Sequence, residues 1–528
     1  MKLSDTKFKE IFPFNNPRAG QKELIEKIIS AYESGKKYVI LNAPTGTGKS
    51  VIGYTIAKYF ESAYILTSQK VLQEQYYNDL SIPLVLGRNN YTCQKNSALT
   101  CEMGECFRNA KKMCKKPVNG KSVIACPYLV ARDNCLMSPF SNLNYSYFLA
   151  MTELEMLSKK NLIIADECHN LENELIKKCT IKIDDALLKY INKKLTLPIP
   201  SDTSAAKCKW LIVDLNEEIR SEFLYLKGKL NKLKDLKSTR EYKKIATKHS
   251  VFEKLIISIN SIKLQLEKNE KIIVTQDKDF IEFKMLHGKN IFKETLEKFS
   301  DRFLFMSASI LNYKCFINDL GLNPLDVEYI ECDSQFPVEN RLIHYTPVGS
   351  MSFRSKNETM PKLIKKIDQL LKTNKNVKGI IHTGNYDIAE KIIQGLSFSD
   401  QSSRLLMPRG KERQTILDIF YTSSKPYVLI SPSLTEGIDL KEDLSRLCII
   451  CKVPYANLMD KWTKTRMSES QEWYINLACM TLVQMTGRSI RSETDFATTY
   501  ILDSDFLNLA KNSTKIFPKW WQESVVTY

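Results

Sequence analysis

The chain has 528 residues, 43% of them hydrophobic, with 77 Lys and Arg against 60 Asp and Glu, a formal charge of +17. That length suits three or four structural units at about 100–200 residues each, and no stretch reaches the ~20 uninterrupted apolar residues of a membrane helix. The opening MKLSDTKFKEIFPF has no apolar h-region, so a soluble, cytoplasmic protein is expected. The basic excess (pI about 9.1) fits a polyanionic partner or, equally, a lysine-rich surface.

The first informative element is a strand over Tyr38-Val-Ile-Leu-Asn42. It is followed at once by Ala43-Pro44-Thr45-Gly46-Thr47-Gly48-Lys49-Ser50, and then by a helical pattern over residues 51–60. Strand, glycine loop and helix make a phosphate-binding loop. Gly46 and Gly48 let backbone N–H groups curl around phosphates, and the helix N-terminus adds positive potential. Lys49 reaches the β/γ-phosphates of ATP and Ser50 can ligate Mg²⁺. Ala43 stands where the generic loop has its first glycine.

Further along, 6 of the 14 cysteines (Cys93, Cys101, Cys106, Cys114, Cys126 and Cys135) fall in one short stretch. In an intracellular chain such a cluster reads as a metal or iron–sulfur site rather than disulfides. Spacing alone leaves zinc open. The run Leu162-Ile-Ile-Ala-Asp166-Glu167-Cys168-His169 is an apolar strand ending in two carboxylates. Asp166 suits a Mg²⁺ and Glu167 suits the polarising of an attacking water.

Residues from about 184 to 268 are rich in Lys and Leu. Ile212, Leu215, Ile219, Phe223, Leu226, Leu230 and Leu233, then Phe252, Leu255, Ile259, Ile262 and Leu266, recur at spacings of three and four. They predict two long amphipathic helices packed on each other. Residues 271–298 read as strands and a helix. The C-terminal Phe517-Pro-Lys-Trp-Trp521 is expected to pack on the core.

The Asp-Glu-Cys-His box resembles that of DEAH-type superfamily 2 helicases, with Cys168 in place of Ala. Other stretches resemble that superfamily's motifs in order. Arg18 and Gln21 match the motif that contacts adenine, and Thr67-Ser-Gln-Lys-Val-Leu-Gln-Glu-Gln75 matches motif Ia, which touches the DNA backbone. Phe305-Met-Ser307-Ala308-Ser309 matches motif III, which couples hydrolysis to strand movement. Gly379-Ile-Ile-His-Thr-Gly384-Asn385-Tyr386 matches motif IV. Ser431-Pro-Ser-Leu-Thr-Glu436-Gly437-Ile-Asp439 matches motif V, with Asp439 toward the nucleotide, and Gln484-Met-Thr-Gly487-Arg488-Ser-Ile-Arg491 matches motif VI. Arg488 and Arg491 lie three apart, on one face if helical, and would act as arginine fingers on the γ-phosphoryl group, with Gln484 beside them.

Gly87-Arg88-Asn89-Asn90-Tyr91-Thr92-Cys93, Cys126-Pro127-Tyr128 and Asn144-Tyr145-Ser146-Tyr147-Phe148-Leu149 resemble the XPD/DinG family of iron–sulfur helicases. Leu72-Gln-Glu-Gln75 is closer to its DinG branch. The resemblance implies an α/β fold: two RecA-like motor domains, the first carrying an iron–sulfur insertion and a helical arch-like insertion. The expected limits are 1–92, 136–183 and 271–335 for the first motor domain, 93–135 for the cluster domain, 184–270 for the arch and 336–528 for the second motor domain. It implies a [4Fe–4S] cluster, held by Cys93, Cys106, Cys114 and Cys126 with Cys101 the alternative to Cys106. It also implies 5′→3′ movement on single-stranded DNA and unwinding of forked DNA. A rival reading is a translocase that strips proteins or remodels RNA–DNA hybrids without extensive unwinding; a second is a nucleic-acid-binding component whose ATP site only switches conformation. The short insertions suit a viral or phage member.

Overall fold

The computed structural model describes residues 3–527 apart from 105–113, 119–120, 193, 200, 234–238, 435–439, 441, 488–493 and 514. Two parallel sheets organise it. The first orders its strands Val327–Glu331, Tyr38–Asn42, Phe303–Ser307, Leu162–Asp166, Ala63–Thr67 and Phe140–Asn144. The middle four are buried at every position. That is why they read as unbroken apolar runs: helices cover both faces of a parallel sheet. Registers pair Asn42 with Ser307 and Met306 with Asp166. The loops that leave these three strands therefore lie side by side at the carboxyl end of the sheet, where α/β folds bind ligands.

The second sheet orders Leu405–Leu406, Val428–Ser431, Gly379–His382, Leu447–Ile450, Thr498–Asp503, Ile343–Gly349 and Val525–Thr527, again all parallel. The aromatic C-terminus packs as expected. Trp521 is buried, stacked on Phe517 with centroids 4.4 Å apart, and its indole N–H donates to Thr486 Oγ1 at 2.8 Å.

Two insertions leave the first sheet. The lysine-rich one holds the helices Asn216–Lys232 and Arg240–Glu267. Leu215, Ile219, Leu226, Phe252, Ile259 and Ile262 of the expected stripe share one core. Leu211 joins them rather than Ile212, because a π-helical turn over Trp210–Leu215 shifts the helical register. The strands expected after it exist, Ile272–Gln276 and Phe280–Met285. They do not enter the parallel sheet but pair antiparallel with each other and with Thr180–Asp184. Phe280–Met285 alternates half-buried and buried positions, the signature of a one-sided antiparallel strand rather than a parallel core strand. The cysteine-bearing insertion contains a hairpin, Lys115–Val118 with Lys121–Ile124. Lys254 of the long helix reaches Glu102 of that insertion at 3.2 Å. No helix among the described residues is long and apolar enough to cross a membrane.

Helix Lys461–Glu469 comes after the second sheet's Leu447–Ile450 in the chain but docks on elements of the first half. Trp462 donates to Met285 O at 2.7 Å, and Arg466, 2% exposed, faces Asp319 at 2.7 Å and Glu172 at 3.2 Å. One guanidinium thus serves two buried carboxyls. Burial, then the Asp319 carboxylate, push Glu172 up to about 8, against the pull of Arg466. A carboxyl with a raised pKa binds its proton more tightly when folded. Its contribution is therefore fully present below the ordinary value near 4.5 and is lost as pH rises toward 8. Glu172→Gln keeps the shape and removes the surplus charge. The melting temperature of the wild type should fall relative to that variant between pH 5 and 8, by the equivalent of about 1–2 kcal/mol. Parallel melting curves across that range would show the pair to be balanced.

Candidate functional site

The phosphate loop leaves strand Tyr38–Asn42 and turns into helix Lys49–Tyr59. Gly46 and Gly48 have φ of 89° and 77°, a left-handed region that a β-carbon disfavours. Space forbids a side chain as well: a Cβ on Gly46 would lie 2.0 Å from the Phe336 ring, and one on Gly48 2.2 Å from Gln21 Nε2. The Lys49 ammonium donates to the carbonyls of Ala43 at 3.0 Å and Pro44 at 3.4 Å, at the mouth of the loop. Thr47 caps the turn by donating to Pro44 O at 2.8 Å.

Arg18 and Gln21 meet this loop through its backbone. Arg18 donates to Gly46 O. Gln21, 3% exposed, donates to Thr47 O at 2.9 Å and accepts from Arg18 N at 2.8 Å. Both polar ends of Gln21 are thus engaged by the chain, so it shapes the loop directly.

Asp166 ends strand Leu162–Asp166 and is 3% exposed. Its Oδ2 accepts from the Tyr76 hydroxyl at 2.9 Å, its Oδ1 from Glu167 N at 3.0 Å, and its carbonyl from the Tyr145 hydroxyl at 2.8 Å. Burial, then the charge of Glu167, raise its carboxyl to about 6, while Lys49 opposes them. Such a group favours a cation beside it. Glu167 takes a left-handed φ of 50°, rare for a non-glycine residue and typical of strained functional positions.

A line of close polar contacts starts at Glu167. His169 Nδ1 lies 3.3 Å from Glu167 Oε2 and 2.8 Å from Ser307 Oγ. Ser307 Oγ is 3.3 Å from Ser309 Oγ, and Gln484 donates to Ser309 Oγ at 3.1 Å. Gln484 sits on helix Gln471–Thr486, which packs with the second sheet. The chain of contacts therefore crosses between the two halves. Beside it a small cleft is lined by Pro44, Thr45, Phe336, Arg341, Gly487 and Trp520. Arg488, Arg491 and Asp439 lie outside the described residues.

Among the cysteines, Cys93, Cys101, Cys114, Cys126 and Cys135 are buried; Cys106 lies outside the described residues. Cys101 Sγ is 3.8 Å from Cys126 Sγ. Burial, then the Cys126 thiol, push the Cys101 thiol up to about 11, with a smaller push from Cys93. Ala125 N donates to Cys114 O at 2.6 Å, which brings Cys114 across the hairpin toward Cys126. Cys135 instead turns to the carbonyls of Pro83 and Asn142 at 3.2 and 3.7 Å. Among the described residues no three His, Cys, Asp or Glu side chains form a ligand group for a single metal ion. Buried thiols on one insertion, with Cys101 and Cys126 in contact, are donors that an iron–sulfur cluster or a zinc ion would use.

Sequence reasoning stopped one residue short of Tyr76, at Gln75, passed over Phe336, and read Trp520 only as part of a core-packing C-terminus. An aromatic residue in a helix usually signals core, so only its proximity to Asp166 sets Tyr76 apart.

Residues 367–524 match the family described as Helicase C-terminal domain, and residues 15–198 match Type III restriction enzyme, res subunit. The chain is 24% identical to a probable ATP-dependent helicase of Methanocaldococcus jannaschii, over 94% of this chain and 93% of that one. It is 22% identical to the ATP-dependent DNA helicase YoaA of Haemophilus influenzae, over 92% of this chain and 91% of that one. A solved XPD helicase superposes with a TM-score of 0.66 at 18% identity, over 98% of this chain and 100% of that chain. At that identity the superposition speaks for the fold: two RecA-like domains.

Proposed function

The chain is an XPD/DinG-like superfamily 2 helicase, an ATP-hydrolysing enzyme, and we propose that it moves 5′→3′ along single-stranded DNA and unwinds the duplex at a fork. The observation that carries the motor part of this reading is the line of contacts from Glu167 through His169, Ser307 and Ser309 to Gln484; the polarity rests on the resemblance alone. It ties the carboxylate that would activate water to the opposite half of the molecule. Hydrolysis can then alter the packing between the halves, as a motor requires.

In this mechanism Lys49 leaves the Ala43 and Pro44 carbonyls for the β/γ-phosphates. Ser50 and Asp166 would hold Mg²⁺, which would supply charge neutralisation at the phosphates. Glu167 would orient the attacking water, and Arg488 and Arg491, which lie outside the described residues, are assigned to the γ-phosphoryl group by their motif alone. DNA is gripped mainly through phosphates and stacked bases, so binding is salt-sensitive and weakly sequence-specific. The cluster insertion spans 93–135. The helical arch takes 184–270 together with its strand base, and the Lys254–Glu102 contact between them supports a closed passage for one strand. Of the cysteines, Cys93, Cys101, Cys114 and Cys126 are our choice for a [4Fe–4S] cluster, since Cys101 already touches Cys126. The cluster would cross-link the insertion into a rigid wedge.

Duplexes with a 5′ or a 3′ single-stranded tail, tested for ATP-driven strand displacement, decide the matter. Displacement from the 5′ tail alone is expected. Displacement from the 3′ tail alone would overturn the polarity. DNA-stimulated ATP hydrolysis without displacement would favour a translocase.

A further inference from the structure

Helix Lys70–Leu80 is exposed on one face, with Val71 60% and Tyr77 54% accessible, and anchored on the other. Gln73, fully buried, donates to the carbonyls of Val85 at 3.3 Å and Asn142 at 3.4 Å, and its own carbonyl accepts from Asn142 Nδ2 at 2.8 Å. One turn on, Tyr76 is 1% exposed and donates to Asp166 Oδ2 at 2.9 Å. That bond ties the helix to the carboxylate assigned to the metal. Glu167 N fixes the other carboxylate oxygen at 3.0 Å, so the plane of the carboxylate is set by two donors from different elements.

Tyr145 offers a contrast. It is equally buried, yet its hydroxyl donates to the Asp166 main-chain carbonyl and leaves the carboxylate alone. The two tyrosines brace the same residue, but only Tyr76 can steer its ligating oxygens. A buried phenol that loses its partner finds no water to replace it, so a shift of helix Lys70–Leu80 must drag Asp166 or break a bond that has no substitute.

We propose that Tyr76 is a positioning residue for the metal–nucleotide site, through which engagement of a nucleic-acid strand on helix Lys70–Leu80 reaches Asp166. The proposal rests on the ATPase reading above. Coupling of this kind is reciprocal: if the strand improves metal–nucleotide binding, the metal–nucleotide complex improves strand binding by the same factor.

The test uses Mn²⁺ with ADP, followed by electron paramagnetic resonance, on the full chain as wild type, Tyr76→Phe and Tyr145→Phe, with and without oligo(dT). The wild type should bind Mn²⁺–ADP more tightly with oligo(dT) present. Tyr76→Phe should bind about tenfold more weakly, the scale of one hydrogen bond to a charged group, and lose the oligo(dT) effect. Excess Mg²⁺ should restore its turnover, so the half-saturating Mg²⁺ concentration rises while kcat stays within about threefold. Tyr145→Phe should keep the wild-type metal affinity within about twofold. Unchanged affinity in Tyr76→Phe, or an equal loss in Tyr145→Phe, overturns the proposal. A wild type that binds no Mn²⁺–ADP overturns the nucleotide reading and this proposal with it.

Discussion

Lys49→Ala should lower DNA-stimulated ATP turnover by at least about a hundredfold, the usual cost of deleting one preorganised donor to a developing charge. The lysine places its ammonium on the Ala43 and Pro44 carbonyls at the mouth of the loop. Pro44 O keeps the Thr47 hydroxyl as a donor, and alanine is a better helix former than lysine. The variant should therefore fold with an unchanged melting temperature. Affinity for single-stranded DNA, read by fluorescence anisotropy without nucleotide, should stay within about twofold, because phosphate contacts to DNA are made elsewhere. Retained turnover would remove the loop from the catalytic site. Lost DNA binding together with lost turnover would mean that the substitution disturbs the fold.

The sequence made the nucleotide side of this molecule legible because its chemistry is local. Gly46, Gly48, Lys49 and Ser50 sit within five residues, and Asp166 and Glu167 are adjacent, so strand–loop–helix patterning places each group without knowledge of the sheet order. The contacts that join distant segments were not legible. Nothing in Ser309 or Gln484 announces a bond across 175 residues. The motif that contains Gln21 did not announce that its amide also meets Thr47 O and Arg18 N. The strands after the arch were legible as strands but not in their pairing, since a short alternating run does not say which strand it will pair with. Their partner, Thr180–Asp184, lies about a hundred residues upstream. Tyr76 escaped for the same reason: helical periodicity marks it as core, and only the fold puts a carboxylate above it.

Cys126→Ser should separate the two activities that the fold combines. Cys126 caps the N-terminus of helix Pro127–Met137, is 2% exposed, and has its sulfur 3.8 Å from Cys101. Serine preserves the cap but is a poor ligand for iron. The insertion lies between Ala63–Thr67 and Phe140–Asn144, neighbouring strands at one edge of the first sheet. The phosphate loop leaves Tyr38–Asn42, toward the opposite edge. Loss of a cluster should therefore soften the insertion without opening the nucleotide site. Strand displacement should fall by more than about tenfold, since metal binding in small insertions is folding energy, while ATPase stimulated by single-stranded DNA persists within about threefold. Iron analysis and the visible absorption of anaerobically purified protein read the cluster itself. Cys101→Ser should lose iron as Cys126→Ser does, and Cys106→Ser should retain it. The reverse pattern would return the fourth ligand to Cys106. Zinc in place of iron would leave the wedge but change its chemistry. Unwinding that survives Cys126→Ser intact would mean that strand separation is driven by the motor halves alone, with the insertion serving only to guide DNA.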